Sequence, residues 1–181
     1  KVDVKIQLDK SKYFCEGITF FNDKLYLLTW KSGVGFVYDA STFKKLQEFK
    51  LPSKEGWGMT HDSASIIMSD GSSNLYYLSP DSLKLQKIVG ISDNNGPVPN
   101  INELEYIDGF IYANQWLTSY VYKINPESGK IVGRIDLSAL APEAKPNNED
   151  PNWNGIAWDP VNKKMYVTGK KWRSLYEIRL Q

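Results

Sequence analysis

Four residues that could take part in chemistry recur at matching positions along this chain of 181 residues: Glu16, Trp57, Asn102 and Asn154. Each is followed by a residue in a strand-like stretch, which we call the marker of its unit. The markers are Tyr26, Ile67 and Tyr112, each ten residues after the first three, and Tyr166, twelve residues after the fourth. Four residues after the same markers lie Trp30, Gly71, Trp116 and Lys170. Structural repeats normally place similar apolar residues in equivalent positions. A carboxylate, carboxamides, indoles and an ammonium there indicate one shared site.

The chemistry open to such a set is limited. A partly desolvated Glu16 would have a raised pKa and could move a proton near neutral pH. Lys170 and the carboxamide of Asn102 could polarise a carbonyl group or stabilise an oxyanion, and the indoles could hold a flat or cationic group. The sequence shows no Ser-His-Asp arrangement, phosphate-binding glycine motif or zinc motif. Each candidate residue also has a structural explanation, as a turn cap, a packing residue or a solvated charge.

The repeated unit predicts the fold. Each unit reads as four short antiparallel strands separated by turn residues, and the markers are 41, 45 and 54 residues apart. This period is typical of an all-β β-propeller with four-stranded blades. We expect one domain over residues 1–181, with blades at about 14–51, 55–91, 101–137 and 153–181. Residues 1–8 resemble a lone outer strand, which either closes the last blade or follows a blade absent from this sequence.

In a propeller the first strand of each blade lines the central channel, so equivalent residues of these strands converge. Glu16, Trp57, Asn102 and Asn154 are expected to ring one end of the channel. Trp30, Trp116 and Lys170 follow the second strands and should reach the same end. The sequence therefore predicts a small pocket with an indole wall and a few polar groups.

Bulk composition removes several classes of function. Lys and Arg number 22 and Asp and Glu 21, so the net charge of +1 gives no electrostatic reason to expect nucleic acid or an anionic membrane as partner. Apolar runs are far shorter than the ~20 residues of a membrane helix. The single cysteine, Cys15, rules out a disulfide framework within this sequence.

Eight segments, in order along nearly the whole chain, resemble the plant and bacterial type of glutaminyl-peptide cyclotransferase, or glutaminyl cyclase. They are Tyr13-Phe14-Cys15-Glu16-Gly17-Ile18-Thr19, Leu28-Thr29-Trp30, Glu55-Gly56-Trp57-Gly58, Ser69-Asp70-Gly71-Ser72, Asn102-Glu103-Leu104-Glu105-Tyr106, Ala113-Asn114-Gln115-Trp116, Asn154-Gly155-Ile156-Ala157 and Thr168-Gly169-Lys170. The resemblance implies a five-bladed propeller that converts the N-terminal glutamine of a peptide to pyroglutamate and releases ammonia. It implies no metal and no other cofactor. An earlier blade of the family, with a Phe-Thr-x-Gly type motif, is not found, which favours a blade missing upstream.

The resemblance also implies roles for individual residues. Glu16 becomes the proton shuttle, and Asn102 and Lys170 hold the γ-carboxamide and its developing oxyanion. The substrate-binding residues are then Phe14, Trp30, Trp57, Trp116 and Asn154. The expected partner is a peptide or protein with an N-terminal glutamine, acted on by a monomeric acyltransferase. Since pyroglutamate commonly forms on exported peptides, an extracytoplasmic location is expected.

Two other functions fit the same pattern. In a metal-dependent propeller hydrolase of the lactonase kind, Glu16, Asn102 and Asn154 would bind a divalent cation. The indoles and Lys170 argue against this, because an ammonium near a cation is unfavourable. The other alternative is a propeller that binds a ligand without catalysis.

Overall fold

A computed structural model describes residues 4–140, 153–170 and 172–179 of the chain. Within these ranges the secondary structure consists of strands and turns, and no helix is long and apolar enough to cross a membrane. The strands form four antiparallel sheets in which sequence neighbours pair in order, together with a small two-stranded hairpin. The all-β propeller predicted from the repeat is confirmed.

The blades follow one another along the chain. The first comprises β1 (Cys15–Phe21), β2 (Lys24–Thr29), β3 (Val34–Asp39) and β4 (Lys45–Lys50). The second comprises β5 (Met59–His61), β6 (Ile66–Ser69), β7 (Asn74–Leu78) and β8 (Leu85–Gly90). After the hairpin β9 (Ser92–Asp93) and β10 (Gly96–Pro97), the third comprises β11 (Ile101–Ile107), β12 (Phe110–Gln115), β13 (Tyr120–Ile124) and β14 (Ile131–Asp136). The fourth, as described, comprises β15 (Trp153–Asp159), β16 (Lys164–Gly169) and β17 (Tyr176–Ile178).

Tight turns join the first two strands of a blade. Asn22 and Asp23 have φ values of 48° and 56° between the paired residues Phe21 and Lys24. Such two-residue hairpins need left-handed backbone, which Asn and Asp tolerate better than other residues with a side chain. The Asp108-Gly109 turn of the third blade has the same geometry. These turns fix the register that carries the site residues.

The hydrophobic core is a series of layers between adjacent blades. Tyr26 and Leu28 of the first blade pack with Met59 and Met68 of the second in one buried cluster. Equivalent clusters join the second blade to the third and the third to the fourth. Because each layer needs both of its blades, the blades hold one another in position around the channel.

The pairing of three of the four first strands is irregular at the predicted site residues. The register of β1 against β2 shifts between Cys15 and Ile18, which leaves Glu16 and Gly17 in a bulge. Matching shifts flank residues 102–103 in β11 and residues 154–155 in β15. A bulge locally bends the strand and changes the direction of its side chains. Three of the four blades therefore share a bulge in the first strand.

Two buried polar side chains connect the backbone at the start of a first strand to the next blade. The Gly58 N–H donates to Ser69 Oγ (2.8 Å), and the Ser69 hydroxyl donates to the Asn102 carbonyl oxygen (2.6 Å). One blade later, the Glu103 N–H donates to Asn114 Oδ1 (2.7 Å), and the Asn114 side-chain amide donates to the Trp153 carbonyl. Ser69 and Asn114 each lie two residues after a marker position, and both are almost fully buried. Their hydrogen bonds satisfy backbone groups that the irregular pairing leaves free.

Glycines at the channel let the backbones of neighbouring blades come close together. A Cβ at Gly17 would lie 2.5 Å from the Trp57 carbonyl oxygen, and one at Gly58 would lie 2.0 Å from the Asn102 carbonyl oxygen. Both distances are far below van der Waals contact. Only glycine therefore allows this approach of neighbouring backbones.

The N-terminal segment differs from the prediction. The sequence predicts an outer strand over residues 1–8, but residues 4–8 form no strand, and residues 1–3 lie outside the described ranges. Val4 and Ile6 are exposed, whereas Leu8 packs on the first blade. No described strand pairs with this segment, and alternation of apolar and polar residues does not form a strand without a hydrogen-bonded neighbour.

The close approach at the channel predicts different effects for two glycine substitutions. Gly58→Ala places a methyl group against backbone, so we expect a loss of at least about 1–3 kcal/mol in the free energy of unfolding, measured by urea denaturation. Gly90→Ala is the control, because the nearest atom to its Cβ is 4.0 Å away, and it should be nearly neutral. Equal stability of the two variants would contradict the proposed packing.

Candidate active site

Seven of the eight predicted site residues line one cavity of about 180 Å³ at one end of the channel. All four blades contribute to this lining. The residues are Phe14, Glu16, Trp30, Trp57, Asn102, Trp116 and Lys170. Asn154, the eighth, lies half-buried in the bulge of β15 but is not among the lining residues. The shared register thus identifies a real convergence of side chains, and Asn154 shares the backbone geometry without facing the cavity.

The acidic and basic members of the cavity face each other. Glu16 Oε1 lies 3.8 Å from Lys170 Nζ, with 18% of the Glu16 side chain and 46% of the Lys170 side chain exposed. Burial raises the pKa of Glu16, and the nearby Lys170 ammonium opposes part of that rise. A carboxyl group with a raised pKa exchanges protons more readily near neutrality. Glu16 is thus suited to accept and return a proton inside the cavity.

The indoles form an organised aromatic wall. Trp57 and Trp116 meet edge to face, with ring centroids 5.5 Å apart and planes at 90°. Phe14 contacts Trp30 at 6.0 Å and is itself 62% exposed, so it lies at the cavity rim. Edge-to-face contacts favour one relative orientation of the rings.

Glycine in one of the matched positions makes room for this wall. Gly71 occupies the position that holds Trp30, Trp116 and Lys170 in the other blades. A Cβ there would lie 2.5 Å from Trp57 Cζ2, and the backbone φ is 81°. The indole of Trp57 therefore fills the space that a side chain at position 71 would occupy.

A carboxylate not predicted from the sequence connects two of the indoles. Glu55 Oε2 accepts hydrogen bonds from Trp30 Nε1 (2.8 Å) and from Trp57 Nε1 (2.9 Å). Glu55 begins the segment Glu55-Gly56-Trp57-Gly58, but the sequence alone assigns it no role. The spacing from Glu55 to Trp57 is a possible signal, but nothing in the sequence places Trp30 beside them.

Two further acidic residues lie along the channel in β11. Glu103 occupies the position that is glycine in the other three blades, at Gly17, Gly58 and Gly155. Burial, together with the negative charges of Glu105 and Glu16, raises the pKa of Glu103 to about 8, and burial raises that of Glu105 to about 7. The Glu103 residue as a whole is half-buried, and burial is the main cause of the rise in its pKa. The departure from glycine was visible in the sequence and could have drawn attention to Glu103.

The other end of the channel is wider and is lined by different residues. A space of about 580 Å³ there is lined by residues that include Phe21, His61, Glu105 and Trp158. The His61 ring packs against Phe21, with centroids 4.6 Å apart, and its Nδ1 lies 2.9 Å from the Asp62 carbonyl oxygen. Across the described part of the chain, no group of three or more His, Cys, Asp or Glu residues is arranged to hold a metal ion.

Comparison with known proteins identifies relatives of this chain. The family model described as glutamine cyclotransferase matches residues 1–180. A curated glutaminyl-peptide cyclotransferase of Arabidopsis thaliana is 35% identical over 183 residues, which cover 100% of this chain and 57% of the relative. The crystal structure of Myxococcus xanthus glutaminyl cyclase superposes with a TM-score of 0.87 at 36% identity, covering 93% of this chain and 73% of that one. The chain thus spans a little over half the length of the curated relative.

The buried Glu103 carboxyl predicts a specific pH dependence of stability. The pKa of Glu103 is about 8 in the folded state, compared with a reference value of 4.5. The protonated side chain therefore contributes its full stability below about pH 4.5, and this contribution is lost as the pH rises toward 8. The free energy of unfolding of Glu103→Gln should therefore match that of the wild type near pH 4.5 and exceed it by about 3–4 kcal/mol near pH 7–8, measured by urea unfolding. Glu127→Gln, in an exposed turn, controls for the loss of one charge. A stability difference between Glu103→Gln and wild type that does not change with pH would exclude this explanation.

Proposed function

The chain belongs to the glutamine cyclotransferase family, and we propose that it acts as a glutaminyl-peptide cyclotransferase. In this reaction the α-amine of an N-terminal glutamine attacks its own side-chain amide, and the products are a pyroglutamyl peptide and ammonia. The observation that carries the proposal is the convergence of Glu16, Lys170 and Asn102 with three indoles around one small cavity.

The size of the cavity suits an intramolecular reaction. At about 180 Å³ it is well below the ~300–1,000 Å³ of pockets that enclose drug-sized ligands. It therefore fits one bent side chain and leaves the rest of a peptide outside. Holding the glutamine folded on itself brings the amine and the amide carbon together and supplies a large part of the rate acceleration.

The proton transfers are assigned to Glu16. Its carboxylate takes one proton from the α-ammonium, and the freed amine forms a bond to the amide carbon. Glu16 then gives this proton to the amide nitrogen, and the carbon–nitrogen bond breaks to release ammonia. The Glu16 carboxylate takes the remaining extra proton from the new ring nitrogen. The same group serves as base and then as acid, for which a pKa raised toward neutrality is favourable.

The negative charge that develops on the amide oxygen needs nearby donors. Lys170 and Asn102 line the cavity together with Glu16 and can donate to that oxygen. Asn102 is almost fully buried and fixed by the bulge of β11. A preorganised donor stabilises the charge at little cost in reorganisation.

The same geometry favours a reaction without a metal. The Lys170 ammonium lies 3.8 Å from Glu16, where a cation bound by that carboxylate would be repelled. This disfavours the lactonase type of site that was an alternative from the sequence. A peptide or protein with N-terminal glutamine is the proposed partner, and the extracytoplasmic location and the monomeric state stay predictions.

The function is tested by replacing the proton shuttle. Glu16→Gln keeps the size of the side chain but cannot exchange a proton, so we expect a normally folded protein whose turnover falls by about 10²–10⁴-fold. The assay is ammonia release from a glutamine-initiated dipeptide, with pyroglutamate confirmed by mass. Glu48→Gln on the outer strand β4 is the matched control and should retain full activity. Ammonia release by Glu16→Gln at the wild-type rate would remove Glu16 from the mechanism.

A further inference from the structure

Glu55 joins the two blades at the rim of the cavity. One of its carboxylate oxygens, Oε2, accepts the indole N–H of Trp30 from the first blade and that of Trp57 from the second. The loop that carries it is itself fixed. The Gly56 N–H donates to the carbonyl oxygens of Thr29 and Trp30, and the Ser53 hydroxyl donates to the Glu55 carbonyl (2.7 Å). The carboxylate is thus held in place by its backbone as well as by the two indoles.

A charged oxygen is the better acceptor where two N–H groups donate to the same atom, as they do at Glu55 Oε2. A carboxylate oxygen has two lone pairs and accepts without donating, and hydrogen bonds to it are about twice as strong as neutral ones. A side-chain amide in the same place has a single acceptor atom without net charge, and its NH₂ group would face two N–H donors if the side chain turned over. The arrangement therefore selects Glu over its neutral analogue Gln.

A carboxylate at the indole N–H also changes the aromatic ring. The faces of an indole carry partial negative charge, and a cation over a face is attracted by it. An anion bonded to the N–H pushes electron density toward the ring and increases this attraction. The structure already shows such an attraction at Trp30, where the Lys31 ammonium lies 3.9 Å from the ring centroid.

We propose that Glu55 is a positioning residue that orients and polarises Trp30 and Trp57 so that they hold the substrate's α-nitrogen in its ammonium form, before Glu16 takes the proton. This inference rests on the proposed function, because it assigns the cationic group to an N-terminal glutamine. The substrate would enter with its positive charge against the indole faces and lose one proton to the Glu16 carboxylate, which becomes neutral. The freed amine is then the nucleophile. Recognition of the charge and activation of the amine are thereby divided between two carboxylates.

The test compares a charged ligand with a neutral one. A norvaline-initiated dipeptide carries the α-ammonium but has no side-chain amide and cannot cyclise; its partner ligand has a hydroxyl in place of the amine. Binding of each is measured by tryptophan fluorescence, and the ratio of the two dissociation constants gives the preference for ammonium. Glu16 is present throughout, so its own attraction cancels when variants are compared with wild type.

Glu55→Gln is expected to reduce the preference for the ammonium ligand at least about threefold, since a cation–π contact contributes about 0.5–2 kcal/mol. Glu55→Asp keeps the charge and should retain more of the preference. Glu48→Gln, which removes an exposed carboxylate of β4, should leave it unchanged.

Three results would overturn the inference. Wild-type protein could show no preference for the ammonium ligand. Glu55→Gln could keep the wild-type ratio with both affinities unchanged, or it could lose both affinities equally, as a purely structural role predicts. Ammonia release from a glutamine-initiated dipeptide by the wild type is measured separately. Its absence would refute the proposed function, while the ratio of dissociation constants would still decide the role of Glu55.

Discussion

Contact between the backbones of neighbouring first strands is the constraint on which the site depends. Gly17 lies against the chain at Trp57, and Gly58 lies against the chain at Asn102, at distances that leave no room for a side chain. This contact sets how far Glu16, Trp57 and Asn102 are from one another. A larger separation would widen the cavity and remove the close approach of the acidic, amide and aromatic groups. The glycines, which have no side-chain functional group, therefore determine the spacing of the residues that line the cavity.

The bulges that turn the site residues inward would be costly without compensation, because they remove ladder hydrogen bonds in a buried region. An unsatisfied buried backbone group costs about 1–3 kcal/mol. Ser69 and Asn114 supply partners for such backbone groups and connect the second blade to the third and the third to the fourth. Polar residues in otherwise apolar buried strands therefore combine two tasks, since they satisfy the bulge and fix the spacing between blades.

The sequence was sufficient for the fold and for most of the site because both follow from a period. Turn residues, markers and site residues recur at equal or nearly equal distances. The propeller register alone therefore predicts that Glu16, Trp57, Asn102, Trp116 and Lys170 meet at one end of the channel. It could not show which bulge residues line the cavity: Glu16 and Asn102 do, and Asn154 is not among the lining residues. The position of Glu55 between Trp30 and Trp57 could not be predicted, because it depends on a contact between two blades and not on a distance along the sequence. Residues 4–8 alternate like a strand, but pairing depends on a neighbouring edge that the pattern does not reveal.

In the proposed reaction, three tasks are separated around one small cavity: the indoles hold a cation, Glu16 moves the proton, and Asn102 with Lys170 stabilises the carbonyl oxygen. The most direct measurement is a crystal structure of the Glu16→Gln variant with a glutamine-initiated dipeptide. We expect the α-nitrogen within about 3 Å of the residue 16 side chain, between the indoles, and the amide oxygen directed at Asn102 and Lys170. A dipeptide bound instead at the wide end of the channel, near His61 and Trp158, would refute the proposed site.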